Sequence, residues 1–236
     1  MNRDLTPARI CSLPADAFYI PDFISEEEEA LLLQKVGGAP RPRWTHLSRR
    51  RLQTWPSSLT KSNTLLDSSL PSWLITPIIE PRFHALGIFT DSPHKSPNHV
   101  LVNEYRPGQG IMPHEDGAAY YPIVATVSLG APIVLDIYPK NDPAERRNPQ
   151  FRILQERRSL LVTKERLYSD FLHGIAEVTR DEDLGAQSIC NWGLLGDPGP
   201  FEVGSYARET RTSLTFRDVL KVAKMGKTLN FLGGPK

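Results

Sequence analysis

His114 and Asp116 stand two residues apart in Met112-Pro113-His114-Glu115-Asp116-Gly117. Side chains alternate faces along a strand, so on a strand that spacing aims an imidazole and a carboxylate at one point. A second imidazole, His173 in Leu172-His173-Gly174, arrives far enough downstream to sit on a separate strand. Two histidines and one carboxylate on one face, with other positions left open, are the donor set of redox iron that handles oxygen. An isolated His-x-Asp pair is more often a surface pair beside a turn glycine. The assignment therefore depends on what else the chain supplies.

It supplies an anion clamp. In Arg211-Thr212-Ser213-Leu214-Thr215-Phe216-Arg217, alternation gives Arg211, Ser213, Thr215 and Arg217 one face and Thr212, Leu214 and Phe216 the other. If the polar face points into a barrel, two guanidiniums lose their water, which is costly unless anions pair with them. A dicarboxylate supplies two such anions, and the planar guanidinium fork holds a carboxylate bidentately where lysine cannot. Asn103 and Tyr105 repeat the same spacing on a preceding strand and offer an amide and a phenol to the same ligand. Iron donors and clamp together read as a non-haem Fe(II) oxygenase.

The elements that must position these groups are also visible. Ser25 stands three residues before Glu28, a capping box opening an amphipathic helix through Leu31, Leu32, Leu33 and Val36 that stops at Gly37-Gly38. A second helical stretch is expected over Trp73 to Leu86, kinked or broken by Pro77 and Pro81. From Asn98 the texture becomes β, with strands expected over His99 to Tyr105, Ile123 to Leu129, Ile133 to Tyr138, Ser159 to Thr163 and Thr212 to Phe216. Residues 140–157 and 181–207 read as long loops, rich in Asp, Asn, Pro, Gly and Arg. Helices followed by several short strands give the fold class α+β, with a jelly roll as its core.

Composition narrows the field. The 236 residues show no signal-peptide-like start and no long apolar run, so one soluble intracellular domain without a membrane segment is expected. Within it, about 1–97 would hold the N-terminal helices and about 98–220 the jelly roll. Cys11 and Cys190 lie far apart, outside any metal or redox motif, and read as free thiols. The net charge of +1 conceals a basic stretch, because residues 30–66 hold Lys35, Arg41, Arg43, Arg49, Arg50, Arg51 and Lys61 and no acid. Within it Arg43, Trp44, Arg49, Arg50, Arg51 and Trp55 mix cations with indoles, the pairing that meets phosphates and stacks bases. The plainer alternative is a solvated basic surface whose tryptophans lie under arginine stems. Of Tyr120 and Tyr121, one is expected to line a pocket and the other to begin a strand.

These motifs resemble the AlkB family of Fe(II)/2-oxoglutarate-dependent dioxygenases, through Asn103-Glu-Tyr105, His114-Glu-Asp116, Leu172-His173-Gly174-Ile175 and Arg211-x-Ser-x-Thr-x-Arg217. Pro21-Asp22-Phe23-Ile24-Ser25, Pro42-Arg43-Trp44, Asn98-His99-Val100-Leu101-Val102-Asn103 and Gly110 to Gly117 resemble its eukaryotic homologue six subgroup. The resemblance implies a double-stranded β-helix with a nucleotide-recognition-lid-like segment at Arg41 to Trp55. It also implies catalytic iron on His114, Asp116 and His173. Arg211, Tyr105 and Asn103 would take the distal carboxylate of 2-oxoglutarate, with Ser213 beside them and Arg217 near its C1 end. The implied reaction uses oxygen, decarboxylates 2-oxoglutarate to succinate and hydroxylates a C–H bond; on an N-methyl group, formaldehyde leaves. Ala118 stands where the DNA-repair members carry an acid, so a modified nucleotide in RNA or another single strand is expected over DNA repair; the stretch from His173 to Arg211 is longer than theirs and would add a surface loop or a cover. A protein side-chain hydroxylase or demethylase, and a nucleic-acid or protein binding module with little turnover, are the alternatives. Cytoplasm and nucleus are the implied locations, and a protein partner is compatible with the same reading.

Overall fold

The computed structural model describes residues 4–13, 16–66, 69–140 and 148–223. Strands are numbered in chain order. The larger sheet runs, edge to edge, β1 (Ala17–Ile20), β10 (Leu160–Lys164), β7 (Tyr120–Leu129), β14 (Arg211–Val219), β5 (His99–Tyr105), β3 (Arg50–Trp55) and β2 (Thr45–Leu47), all antiparallel. The smaller runs β6 (Ile111–His114), β11 (Phe171–Ile175), β8 (Ile133–Pro139) and β9 (Phe151–Gln155), also antiparallel. Two short pairs sit outside them, β12 (Arg180–Glu182) with β13 (Ser205–Ala207), and β4 (Thr64–Leu66) parallel to β15 (Lys221–Ala223). The two main sheets make the double-stranded β-helix.

Helices cover the outer face of the larger sheet. α1 (Glu26–Gly37) starts as its capping box requires, with Ser25 Oγ accepting from Glu28 N at 3.2 Å and Glu28 Oε2 accepting from Ser25 N at 2.8 Å. At its far end the buried Gln53 amide donates to the Val36 carbonyl at 2.9 Å, satisfying one of the orphan acceptors every helix terminus leaves. The second helical stretch runs from Ser72 to Leu86 and is irregular: wide π-type turns span Ile75–Phe83, with Pro81 inside. Thr76 is extended there (φ −108°, ψ 116°) because the ring of Pro77 pushes the preceding residue out of the α region. Leu32, Val36, Leu74, Ile78 and Phe83 pack on Val100, Val102, Leu214 and Phe216 of the sheet. The Phe83 and Phe216 rings meet edge to face at 5.0 Å. Phe216→Ala should cost about 3–5 kcal/mol, the range for deleting a buried phenylalanine; a chemical denaturation midpoint unchanged from wild type would show that the helices do not depend on this contact.

The structure corrects several expectations. The stretch 140–157 is not all loop, since β9 occupies Phe151–Gln155, while 141–147 lie outside the described residues. β9 escapes a period-two reading because Ile153, Leu154 and Gln155 are buried in succession. The stretch 181–207 remains largely loop but is tied down: Leu184, Ile189 and Phe201 pack on Val134 and Leu154, and Arg208 donates to both Asp181 oxygens at 2.8 and 2.6 Å. The N-terminal part contributes strands as well as helices, because β1, β2 and β3 join the larger sheet. No helix among the described residues is long and apolar enough to cross a membrane, and Cys11 and Cys190 are free.

Candidate active site

β6 and β11 bring His114 and His173 directly opposite one another, with ring centroids 4.4 Å apart. Gly174 permits the approach: a Cβ there would lie 3.0 Å from the Ile111 carbonyl oxygen and 3.1 Å from Pro113 N. His114 Nδ1 donates to the Met112 carbonyl at 3.0 Å, which leaves the Nε2 lone pair for a ligand. Asp116 is not on the same strand as His114, contrary to the alternation reading, because β6 ends at His114. A turn at Gly117 (φ 83°) returns the chain, and the Tyr168 hydroxyl donates to the Gly117 carbonyl at 2.6 Å. Asp116 Oδ1 then lies 4.0 Å from His173 Nε2, and one donor atom from each of His114, Asp116 and His173 falls within 4.8 Å of the others.

The protonation states suit a divalent metal. Burial pushes the His173 imidazole down to about 4, against the pull of Asp116, and burial also lowers His114. Burial works to raise the Asp116 carboxyl, but Arg217 and the two histidines outweigh it and hold it below its ordinary value. Two neutral imidazoles and a carboxylate are the donor set that Fe(II) takes in such sites.

β14 carries the clamp and lies between β5 and β7, with Arg211 opposite Tyr105, Ser213 opposite Asn103 and Arg217 opposite His99. Arg211, Ser213, Thr215 and Arg217 face a cavity of about 290 Å³ that also holds His114, Asp116 and His173, while Leu214 and Phe216 face the helices. The alternation read from the sequence is therefore observed. Arg211 is 3% exposed, and its Nη2 donates to Ser128 Oγ at 2.8 Å and Gln155 Oε1 at 3.2 Å. Complete burial lowers it to about 10, with the Tyr105 phenol acting the other way. Arg217 donates to Asp116 Oδ1 and lies 5.0 Å from the Tyr120 ring centre. Both arginines keep a buried Nε–H without any acceptor. Leaving such a donor unmet costs about 1–3 kcal/mol or more, and a carboxylate in the cavity supplies the acceptor each lacks. The residues present thus fit both iron and 2-oxoglutarate.

The basic, aromatic segment divides. Arg43 stacks over Trp55 at 4.1 Å and donates to the carbonyls of Thr54 and Pro56; Arg51 stacks over Trp44 at 4.0 Å and holds Glu104 at 2.8 and 2.6 Å. None of these four lines the cavity. Arg49 is exposed and pairs with Glu177 at 3.1 Å. Arg50 turns inward, lines the cavity and donates from Nε to Asn103 Oδ1 at 3.2 Å. Tyr120 also lines the cavity, whereas Tyr121 packs against the helix-side core.

Sequence reasoning missed Ser128, Gln155 and Tyr168. Gln155 sits on the unrecognised β9, and a tyrosine five residues before His173 carries no motif. Tyr168→Phe removes the hydroxyl that pins the turn after Asp116. The loss of one such hydrogen bond, about 1 kcal/mol, should lower iron affinity about fivefold at unchanged fold; anaerobic metal titration giving wild-type affinity would discount this role.

Residues 16–217 match the family model described as 2OG-Fe(II) oxygenase superfamily. The chain is 42% identical over 229 residues to "Probable RNA/DNA demethylase ALKBH6" of Danio rerio, an alignment covering 94% of this chain and 93% of that protein. It is 27% identical over 215 residues to "Uncharacterized protein L905" of Acanthamoeba polyphaga mimivirus, covering 86% and 84% respectively. Among solved structures it is similar to "The structure of OsALKBH1", with a TM-score of 0.57 at 12% identity over 87% of this chain and 98% of that one, a likeness of fold. With the iron donors and the dicarboxylate clamp facing one cavity, the chain belongs to the 2OG-Fe(II) oxygenase superfamily, in its AlkB homologue six subgroup, and is an Fe(II)- and 2-oxoglutarate-dependent dioxygenase.

Proposed function

We propose that this dioxygenase removes N-methyl groups from modified nucleotides, with RNA favoured over DNA repair. The observation that carries the chemistry is the pair of buried arginines whose unmet Nε donors share a cavity with His114, Asp116 and His173. His114, Asp116 and His173 would hold the iron. Arg211, with Tyr105, Asn103 and Ser213, would take the distal carboxylate of 2-oxoglutarate, and Arg217 would face its C1 end while keeping Asp116 ionised. The bound iron and 2-oxoglutarate together activate oxygen for C–H hydroxylation, giving succinate and carbon dioxide. The protein's part is to fix that chemistry against the target. Leu135, Ile137 and Leu161 line the apolar side of the cavity and limit water around the reacting centre. A hydroxylated N-methyl group then loses formaldehyde and leaves the nitrogen protonated.

The naming of the Danio rerio relative as a "Probable RNA/DNA demethylase" supports the nucleotide substrate. So does Arg50, a cation that lines the cavity from a stretch of sequence without acids. Unpaired RNA bases can be splayed out toward such a pocket without breaking a duplex. The same reading includes action in the cytoplasm and nucleus, where such RNA resides, by a single dioxygenase domain, and leaves room for a protein partner.

The test has two stages. Anaerobic addition of Fe(II) and 2-oxoglutarate should produce the visible metal-to-ligand charge-transfer band, absent in His114→Ala. Formaldehyde release should then follow from methylated RNA oligonucleotides and not from methylated peptides. Turnover on peptides alone would replace the nucleotide reading with a protein demethylase.

A further inference from the structure

The charged groups lining the cavity do not balance. Arg50, Arg211 and Arg217 face it, against the carboxylates of Asp116 and Glu115. Glu115 is already neutralised by Lys140, whose Nζ reaches its Oε2. Asp116 is matched by Arg217. A divalent iron and a dianionic 2-oxoglutarate cancel each other, so loading the site leaves its net sign unchanged. Two guanidiniums' worth of positive charge remain in excess in the lining of the cavity that a substrate base must enter. Arg50 is half-buried where Arg211 and Arg217 are buried, so it is the surplus cation most open to solvent. It touches only the neutral Asn103 amide and has no carboxylate within ion-pair distance among the described residues. Even if a substrate phosphate took up Arg50 entirely, the remainder of the cavity would still be positive.

From this imbalance we infer that the base this pocket accepts is electrically neutral, an uncharged N-methylated nucleobase, and that a base made cationic at neutral pH by methylation of a ring nitrogen is disfavoured. The inference rests on the nucleotide reading and sharpens it to a substrate class. The physics is like-charge repulsion in a site partly shielded from water, where a unit charge weighs more than it does in bulk solvent. Discrimination arises by disfavouring the wrong ligand, with no added contact to the right one. Arg50 is the specificity-determining residue: it carries the surplus charge most open to solvent and, unlike Arg211 and Arg217, has no assigned role toward iron or cosubstrate.

Matched pairs of short single-stranded RNA oligonucleotides test this, with binding read by fluorescence anisotropy on the protein loaded anaerobically with Fe(II) and 2-oxoglutarate. One pair contains 3-methyluridine or 3-methylcytidine, the other 1-methylinosine or 1-methyladenosine. Within each pair the members differ by one exocyclic group and by a positive charge at neutral pH. The neutral member should bind about tenfold more tightly in both pairs, a ratio that shrinks with added salt because its origin is electrostatic. Arg50→Gln should reduce the ratio to about threefold or less, and Arg50→Lys should preserve it. If the methylated oligonucleotides bind but the cationic members bind as tightly or more tightly, the inference fails while the nucleotide reading stands. If no RNA binds, both fail. A full tenfold ratio persisting in Arg50→Gln would remove Arg50 from the account.

Discussion

Asp116→Ala should abolish iron retention and all turnover. Asp116 is the carboxylate of the only His/Cys/Asp/Glu cluster suited to a metal among the described residues, and its neighbour Glu115 is engaged by Lys140. Two imidazoles alone leave a divalent cation without the anionic donor that the site supplies. The change has a second consequence, because Arg217 is 6% exposed and loses its only carboxylate partner among the described residues. Stranding one member of a buried ion pair typically costs about 3–5 kcal/mol. Loss of iron after anaerobic loading and desalting should therefore coincide with a lower denaturation midpoint. Asp116→Asn, nearly the same shape, separates the two: it should also lose iron but recover part of the stability by accepting from Arg217. Stoichiometric iron in Asp116→Ala would remove Asp116 from the ligand set.

Arg211→Ala should cripple 2-oxoglutarate binding while leaving iron in place. Arg211 reaches Ser128 and Gln155 and touches none of His114, Asp116 or His173, so its loss does not disturb the metal donors directly. Truncating one partner of a buried, hydrogen-bonded charge pair costs about 2–5 kcal/mol, equivalent to at least about thirtyfold in cosubstrate affinity. Arg211→Lys should recover little, since an ammonium cannot bridge Ser128, Gln155 and a carboxylate with one planar fork. Anaerobic titration following the charge-transfer band measures this directly. Wild-type 2-oxoglutarate affinity in Arg211→Ala would sink the clamp assignment.

What could be read from the chain alone follows from how far each feature depends on local rules. β14 is legible because its two faces differ so sharply, cations and hydroxyls against Leu214 and Phe216, and the structure keeps that division. α1 is legible because Ser25 and Glu28 satisfy the helix terminus within four residues. The helical stretch from Ser72 announces its own breaks through Pro77 and Pro81. Asp116 reaches the neighbourhood of His114 and His173 by another route than the one read from the sequence, since a turn at Gly117 and the Tyr168 hydroxyl deliver it where strand alternation was expected to. Gln155 and Ser128 meet Arg211 only through long-range pairing of strands, which no local pattern encodes. The division of the basic segment, Arg43 and Arg51 stacked on tryptophans and Arg50 turned inward, likewise depends on the register of β3 against β5.

The position of β14 matters for how the protein is made. It lies between β5 and β7, two strands synthesised long before it. Until the segment from Arg211 leaves the ribosome, the nascent chain presents two open strand edges that other chains can pair with. A premature stop upstream of β14 would yield a polypeptide that holds all three metal donors but has a gap in its main sheet. Such a product should be a client of chaperones and proteases and not a weakened enzyme.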